Sequence, residues 1–305
     1  MQTELPVLKN AQEFIEVIRQ GKEPRGVADM QKSLHNLMIG NRPDPKAMEA
    51  LGEELATGTR QIRIEIIDLL DRIRNLADPG YELRTPEVIA LLVGPAFAQT
   101  DSARGLAMEM LYKYASTTTL SHYRDVFMRA LKERPDGYIL TLIAKAKTPE
   151  AREEVDRLSR LPVWNEPGSS RYETMRIARA ALGDTKIENE YLAELPREEK
   201  AGSGGARDAL FPLAQIGTRR SLQEICLRMR SPLIIDDGIR QKSIRLFVMD
   251  ALRYAFPERP ELDSGNVRKE EDYIKVEQFC TQELGVDFRG RPRPDFFVEI
   301  LYRSR

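Results

Sequence analysis

The sequence predicts an all-α chain, an α-solenoid of about seven to eight helix pairs. Three observations predict it. Apolar residues recur at helical spacing along most of the chain. Short turns rich in Asp, Thr, Gly and Pro separate the segments. The junctions Thr85-Pro86, Thr117, Thr148-Pro149, Asp184-Thr185 and Thr218 lie 32, 31, 37 and 33 residues apart. A period in that range marks stacked helical repeats rather than one globular core.

The clearest unit is Asp236 to Leu252. Ile244, Phe247, Val248, Ala251, Leu252 and Ala255 form one apolar face of a helix. Asp236, Asp237 and Gly238 suit the turn and N-cap before it, because short acidic side chains accept from orphan N–H groups. Leu222, Ile225, Cys226 and Met229 form the matching face upstream. Similar helices open at Asp101 and Arg104, at Ile62 and Arg63, and at Ala206 and Arg207.

Taken in order, the first helix pair is expected over 10–20 and 27–39, and the second over 46–56 and 60–75. The third covers 86–93 and 102–115, turning at Gly94-Pro95. The fourth covers 118–133 and 137–146, and the fifth 149–160 and 171–182. The long turn of the fifth holds Trp164. The sixth covers 186–199 and 206–216, joined by the Gly-rich stretch 201–205, and the seventh 218–230 and 239–255. Pro212 should kink its helix near Asp208. A loop inserted at 257–272 precedes a helix over 271–284. Residues 285–305 form a capping segment, helix or edge strand. The whole of 1–305 reads as a single array.

The segments Ala181 to Leu195, Ala214 to Met229 and Asp236 to Leu252 resemble the HEAT-repeat family, in particular its short bacterial form. The resemblance runs from about Thr59 to Phe256. It implies a right-handed superhelix. It also implies a structural ladder, in which Arg63, Arg104, Arg207 and Arg240 pair with turn acids and carbonyls to link one repeat to the next. Arg63 departs from that pattern, since no acid occupies its turn.

Composition limits function. Lys+Arg number 47 and Asp+Glu 48, for a net charge of -1, so the totals lack the basic excess of a dedicated nucleic-acid binder. No apolar run reaches the roughly 18 residues of a membrane helix, so no membrane insertion is expected. The chain is expected in the cytoplasm, or in the periplasm or medium if Met1 replaces a removed signal peptide. Cys226 and Cys280 are too few for a disulfide framework. Cys226 sits on an apolar stripe and reads as buried; a bond between the two needs an oxidising compartment.

Catalytic chemistry is sparse. His35 and His122 lack partners at metal spacing, and the 201–205 stretch lacks the Gly-Lys-Ser/Thr ending of a phosphate loop. No catalytic residue, metal or cofactor is expected, although some HEAT-like proteins are bilin lyases or DNA-repair glycosylases. What remains is surface. Tyr112, Tyr138, Tyr172, Arg176, Arg179, Phe211 and Arg245 lie opposite the apolar stripes, and such residue types are enriched at protein interfaces. The expected function is a non-catalytic protein-binding scaffold. The alternative is nucleic-acid binding through 218–253, where eight basic residues face four acids.

Overall fold

The computed structural model describes residues 7–22, 30–77, 81–201, 205–236, 240–267, 269–294 and 300–302. The chain is mostly helical. Its internal contacts divide it into two compact units, Met1–Ala115 and Ser116–Arg305, where the sequence pattern suggested one array.

The first unit begins with α1 (Ala11–Arg19) and α2 (Met30–His35). A two-residue ribbon follows, β1 (Met38–Ile39) antiparallel to β2 (Arg42–Pro43). Then come α3 (Pro45–Thr57), α4 (Arg60–Ala77), α5 (Pro86–Leu91) and α6 (Ser102–Tyr114). Local chemistry sets the helix starts. Asn10, Asp44 and Asp101 accept from backbone N–H groups of the first turns of α1, α3 and α6. Pro45 and Pro86 occupy first-turn positions, where a missing N–H costs nothing. The turn expected at Gly94-Pro95 is instead a wide π-helical turn, Leu92–Ala96, that continues α5. Pro95 has no N–H for a regular α ladder, and the wider turn accommodates it. Phe14, Leu51, Leu55, Ile66, Leu70 and Leu111 are fully buried. Each contributes on the order of 1.5–3 kcal/mol relative to exposure. A Cβ at Gly52 would meet Leu91 at 2.9 Å, so the glycine permits the close contact of α3 with α5.

The second unit holds α7 (Thr117–Ser121), α8 (Arg124–Glu133), α9 (Gly137–Lys145), α10 (Arg152–Ser159), α11 (Ser170–Ala181), α12 (Thr185–Ala201) and α13 (Gly205–Ile216). It continues with α14 (Arg219–Leu227), β3 (Ile234–Asp236), β4 (Arg240–Ser243), α15 (Ile244–Ala255), α16 (Glu270–Leu284) and β5 (Ile300–Tyr302). Consecutive helices pack as pairs, and every second helix also packs on its counterpart: α9 on α11, α11 on α13, α13 on α15.

Three expectations change here. The helix expected over 118–133 breaks at His122 and Tyr123 into α7 and α8, with Ser116 capping α7. The helix expected to start at 239 starts at Ile244. Asp236 ends β3, which pairs antiparallel with β4, and residues 237–239 lie outside the described ones. Ile234 and Ile235 are β-branched and favour the strand. The cap of α15 is therefore Ser243, which accepts from the Arg245 N–H, and not the Asp pair. For the segment 285–305 the strand alternative holds over 300–302, where β5 pairs with β4. The inserted stretch 257–272 forms two short 3-10 turns, Pro260–Leu262 and Ser264–Asn266, packed against α15. The Gly-rich joint falls at 202–204, outside the described residues.

Cys226 on α14 and Cys280 on α16 form a disulfide, with Cα atoms 6.0 Å apart. Both are fully buried, so the burial expected for Cys226 and the pairing are both present.

Candidate functional site

Four of the residues expected at an interface come together on two neighbouring helices. Tyr138 stands near the start of α9; Tyr172, Arg176 and Arg179 lie on α11. The two helices approach closely where Gly137 meets Thr174. Asp136 caps α9 through the Ile139 N–H, which fixes the backbone beside Tyr138. Tyr138 is 46% exposed, one of few large apolar side chains in that state among the described residues.

On α11 the side chains are held by charge and stacking. The Arg176 guanidinium lies 5.6 Å from the Tyr172 ring centre and 4.7 Å from that of Tyr191 on α12. Arg176 also pairs with Glu190 at 2.8 Å and Glu173 at 3.4 Å. The Tyr191 hydroxyl donates to Glu173 at 2.6 Å. Burial, with the Glu173 carboxylate adding to it, pushes the Tyr191 hydroxyl well above its ordinary range, so it stays a donor. Arg179 pairs with Asp184, whose other oxygen accepts from Ile187 at the start of α12. The result is an ordered aromatic and arginine surface with Tyr138 free to make contacts. Its side chains lose little entropy on binding.

The other expected residues separate. Phe211 is half-buried on α13, which packs against α9 and α11. Tyr112 is half-buried on α6, in the first unit. Arg245 is 0% exposed and cannot present itself to a partner. Its guanidinium donates to Glu270 at 2.8 Å and lies 3.8 Å from the centre of the Tyr273 ring. Because α15 starts only at Ile244, Arg245 falls in its first turn, against the start of α16.

Of the ladder arginines, Arg63 does have an acid. Asp101, the cap of the later helix α6, accepts from it, while the Gly58 carbonyl accepts from its other nitrogen. The partner lies 38 residues on, so a search of its own turn misses it. Arg104 is buried, 5.5 Å from the Phe97 ring centre. The side chains of Arg207 and Arg240 lie outside the described residues.

The basic window 218–253 disperses. Arg219 donates to the Leu284 carbonyl, Arg220 to Asn189, and Arg253 to Asp263. Arg228 pairs with Glu224 at 3.7 Å and Arg230 with Glu277 at 2.6 Å. Glu277 is itself buried and is shared with Arg293, at 2.8 Å. The Arg228–Glu224 pair is local, four residues apart, but the partners of Arg219, Arg220 and Arg230 lie 31 to 65 residues away and leave no signal in the sequence.

Elsewhere in the second unit, Lys147 takes a left-handed backbone, φ 50°, and donates to the Ile216 carbonyl at the end of α13. Burial lowers its amine to about 8, against the pull of the nearby Glu188 carboxylate. Glu188 is buried on α12 and accepts from Thr218 and from Ser221, the latter at 2.8 Å. This network joins the ends of α9 and α13 to the starts of α12 and α14.

Among the described residues, no group of His, Cys, Asp or Glu could hold a metal ion, and no helix is long and apolar enough to cross a membrane. No family model, curated protein sequence or solved structure matches the chain.

Proposed function

We propose that this chain is a non-catalytic protein-binding scaffold, its HEAT-like helix pairs stacked as a right-handed α-solenoid. The observation that carries the reading is the α9–α11 surface. It offers an exposed aromatic, Tyr138, on α9, and Tyr172, Arg176 and Arg179 on α11, the helix packed against it. Tyr and Arg are the residue types that dominate interface hot spots. The packing of α9, α11, α13 and α15 in succession supports a stacked array, which adds a few side chains of surface per repeat.

The partner is another protein with apolar anchors and a charged rim. Affinity capture with the wild-type chain, beside Tyr138→Ala and Arg176→Glu chains of unchanged circular dichroism, tests this. A partner held by wild type should weaken at least tenfold with Tyr138→Ala, about 1.4 kcal/mol. Retention within twofold by both variants would remove this surface from the reading. The arrangement itself is tested by small-angle X-ray scattering, where a compact sphere-like profile would refute the solenoid.

A further inference from the structure

Arginines that are distant in sequence converge at the end of the second unit. Arg228 and Arg230 lie in a 3-10 turn after α14. Arg289, Arg291 and Arg293 lie on the segment that follows α16. Two clefts of about 380 and 460 Å³ flank this segment, and Arg230 lines both.

The segment is tied in place. Arg230 donates to the Arg291 carbonyl at 2.9 Å, and Arg230 and Arg293 share the buried Glu277. The Arg230 guanidinium also lies 5.0 Å from the Phe288 ring centre. Gly290 takes φ 75° to make the turn at Phe288 to Arg291, and Pro292 limits the backbone that follows.

Charge does not balance here. Two guanidinium groups meet one carboxylate at Glu277. Arg228 has Glu224, and Arg289 has Asp287. Arg291 is exposed and has no acid partner among the described residues. Among the described residues five arginines thus meet three paired acids, with Glu270 acting on Arg293 from further off, in a chain whose net charge is -1. The Arg289 side chain is 92% exposed and that of Arg293 42%, with the Asp287 carboxylate also exposed beside Arg289. The excess is carried by arginine alone, whose planar fork matches phosphate oxygens in a bidentate way.

We infer that this arginine segment is a binding site for the phosphate backbone of a nucleic acid. A linear polyanion fits better than a single small anion, because the arginines are spread over two adjoining clefts, Arg289 and Arg293 lining one, each beside the acid it pairs with, and Arg291 the other. The site reads no sequence, since phosphate contacts position a strand without specifying bases. It differs from the window 218–253, of which only Arg228 and Arg230 take part. It is independent of the α9–α11 surface.

The test is fluorescence anisotropy with the full chain and a labelled oligo(dT) single strand, repeated with a duplex. With three phosphates neutralised, single-strand affinity should fall about 20-fold between 50 and 200 mM salt. Arg291→Glu, and Arg289→Glu with Arg291→Glu, should each weaken binding at least tenfold at 50 mM salt. Neither residue touches Glu277, and circular dichroism verifies the fold of both variants. Tyr138→Ala should bind as wild type does. The inference is overturned by no binding at 50 mM salt, by variants that bind like wild type, or by poly-glutamate displacing the strand as readily as unlabelled oligo(dT). The last result would mark a general anion patch.

Discussion

Reducing the Cys226–Cys280 disulfide isolates one cross-link without removing an atom from the core. The bond closes a loop of 54 residues that carries the β3–β4 hairpin and α15. For a loop of that length the chain-entropy relation gives about 4 kcal/mol at 25 °C, arising mainly in the unfolded state. In a unit of this size the melting temperature should fall by about 8 to 16 °C on reduction. Differential scanning calorimetry with and without a phosphine reductant measures the shift. Intact mass under denaturing, non-reducing conditions establishes that the starting chain lacks two hydrogens. A double Cys226→Ala, Cys280→Ala chain should melt at or below the reduced one, since it also loses two buried sulfur atoms. A shift under about 2 °C, or a starting chain with two free thiols, refutes the reasoning. The bond also reports location, because a cytosolic chain alkylated before lysis would carry two thiols and an exported one the bond.

Three further outcomes follow from single residues. Arg245→Ala should destabilise the second unit by about 3 kcal/mol in urea unfolding, since it removes one partner of an ion pair that is buried on the arginine side; a loss under about 1 kcal/mol would contradict the burial. Lys147 has a folded pKa lowered to about 8 from 10.5, so the unfolded chain binds more protons between those values and stability should rise as pH increases through that window. Lys147→Met should lack that rise, and parallel pH profiles for the two chains would dismiss it. Arg63→Ala should cost about 1.5–3 kcal/mol, as it removes charge-assisted hydrogen bonds to Asp101; an unchanged melt of the first unit would show the contact to be idle.

The helices were legible because their signals are local. Asp101, Asp136 and Thr218 cap helices within one residue of where the pattern places them. Apolar spacing located α4, α11 and α14 for the same reason. The hairpin before α15 was not legible. Asp236 and Gly238 suit a helix cap and a hairpin turn alike, and the pairing of β4 with β5 joins residues 60 positions apart, as in Gln241 with Leu301. The charged residues show the same division. Arg245 lies opposite an apolar stripe by periodicity alone, yet Glu270 and Tyr273 of α16 cover it. Arg63, Arg230 and Arg293 likewise find partners 16 to 47 residues away. Tyr138 stays exposed, as its position opposite the apolar stripe predicts, although the neighbouring Gly137 meets Thr174 of α11.

The disulfide also alters how the chain carries load. A pull applied on either side of Cys226 and Cys280 passes through a single covalent bond, and the residues between them feel none of it. Roughly 180 Å of contour length would be missing from a force–extension curve, at about 3.4 Å for each of the 54 residues. A protease cut inside that span would leave two pieces that still travel together until reductant separates them. The Arg245–Glu270 pair therefore sits in a part of the chain sheltered from tension, whereas strand β5 and the arginine segment after α16 lie outside it.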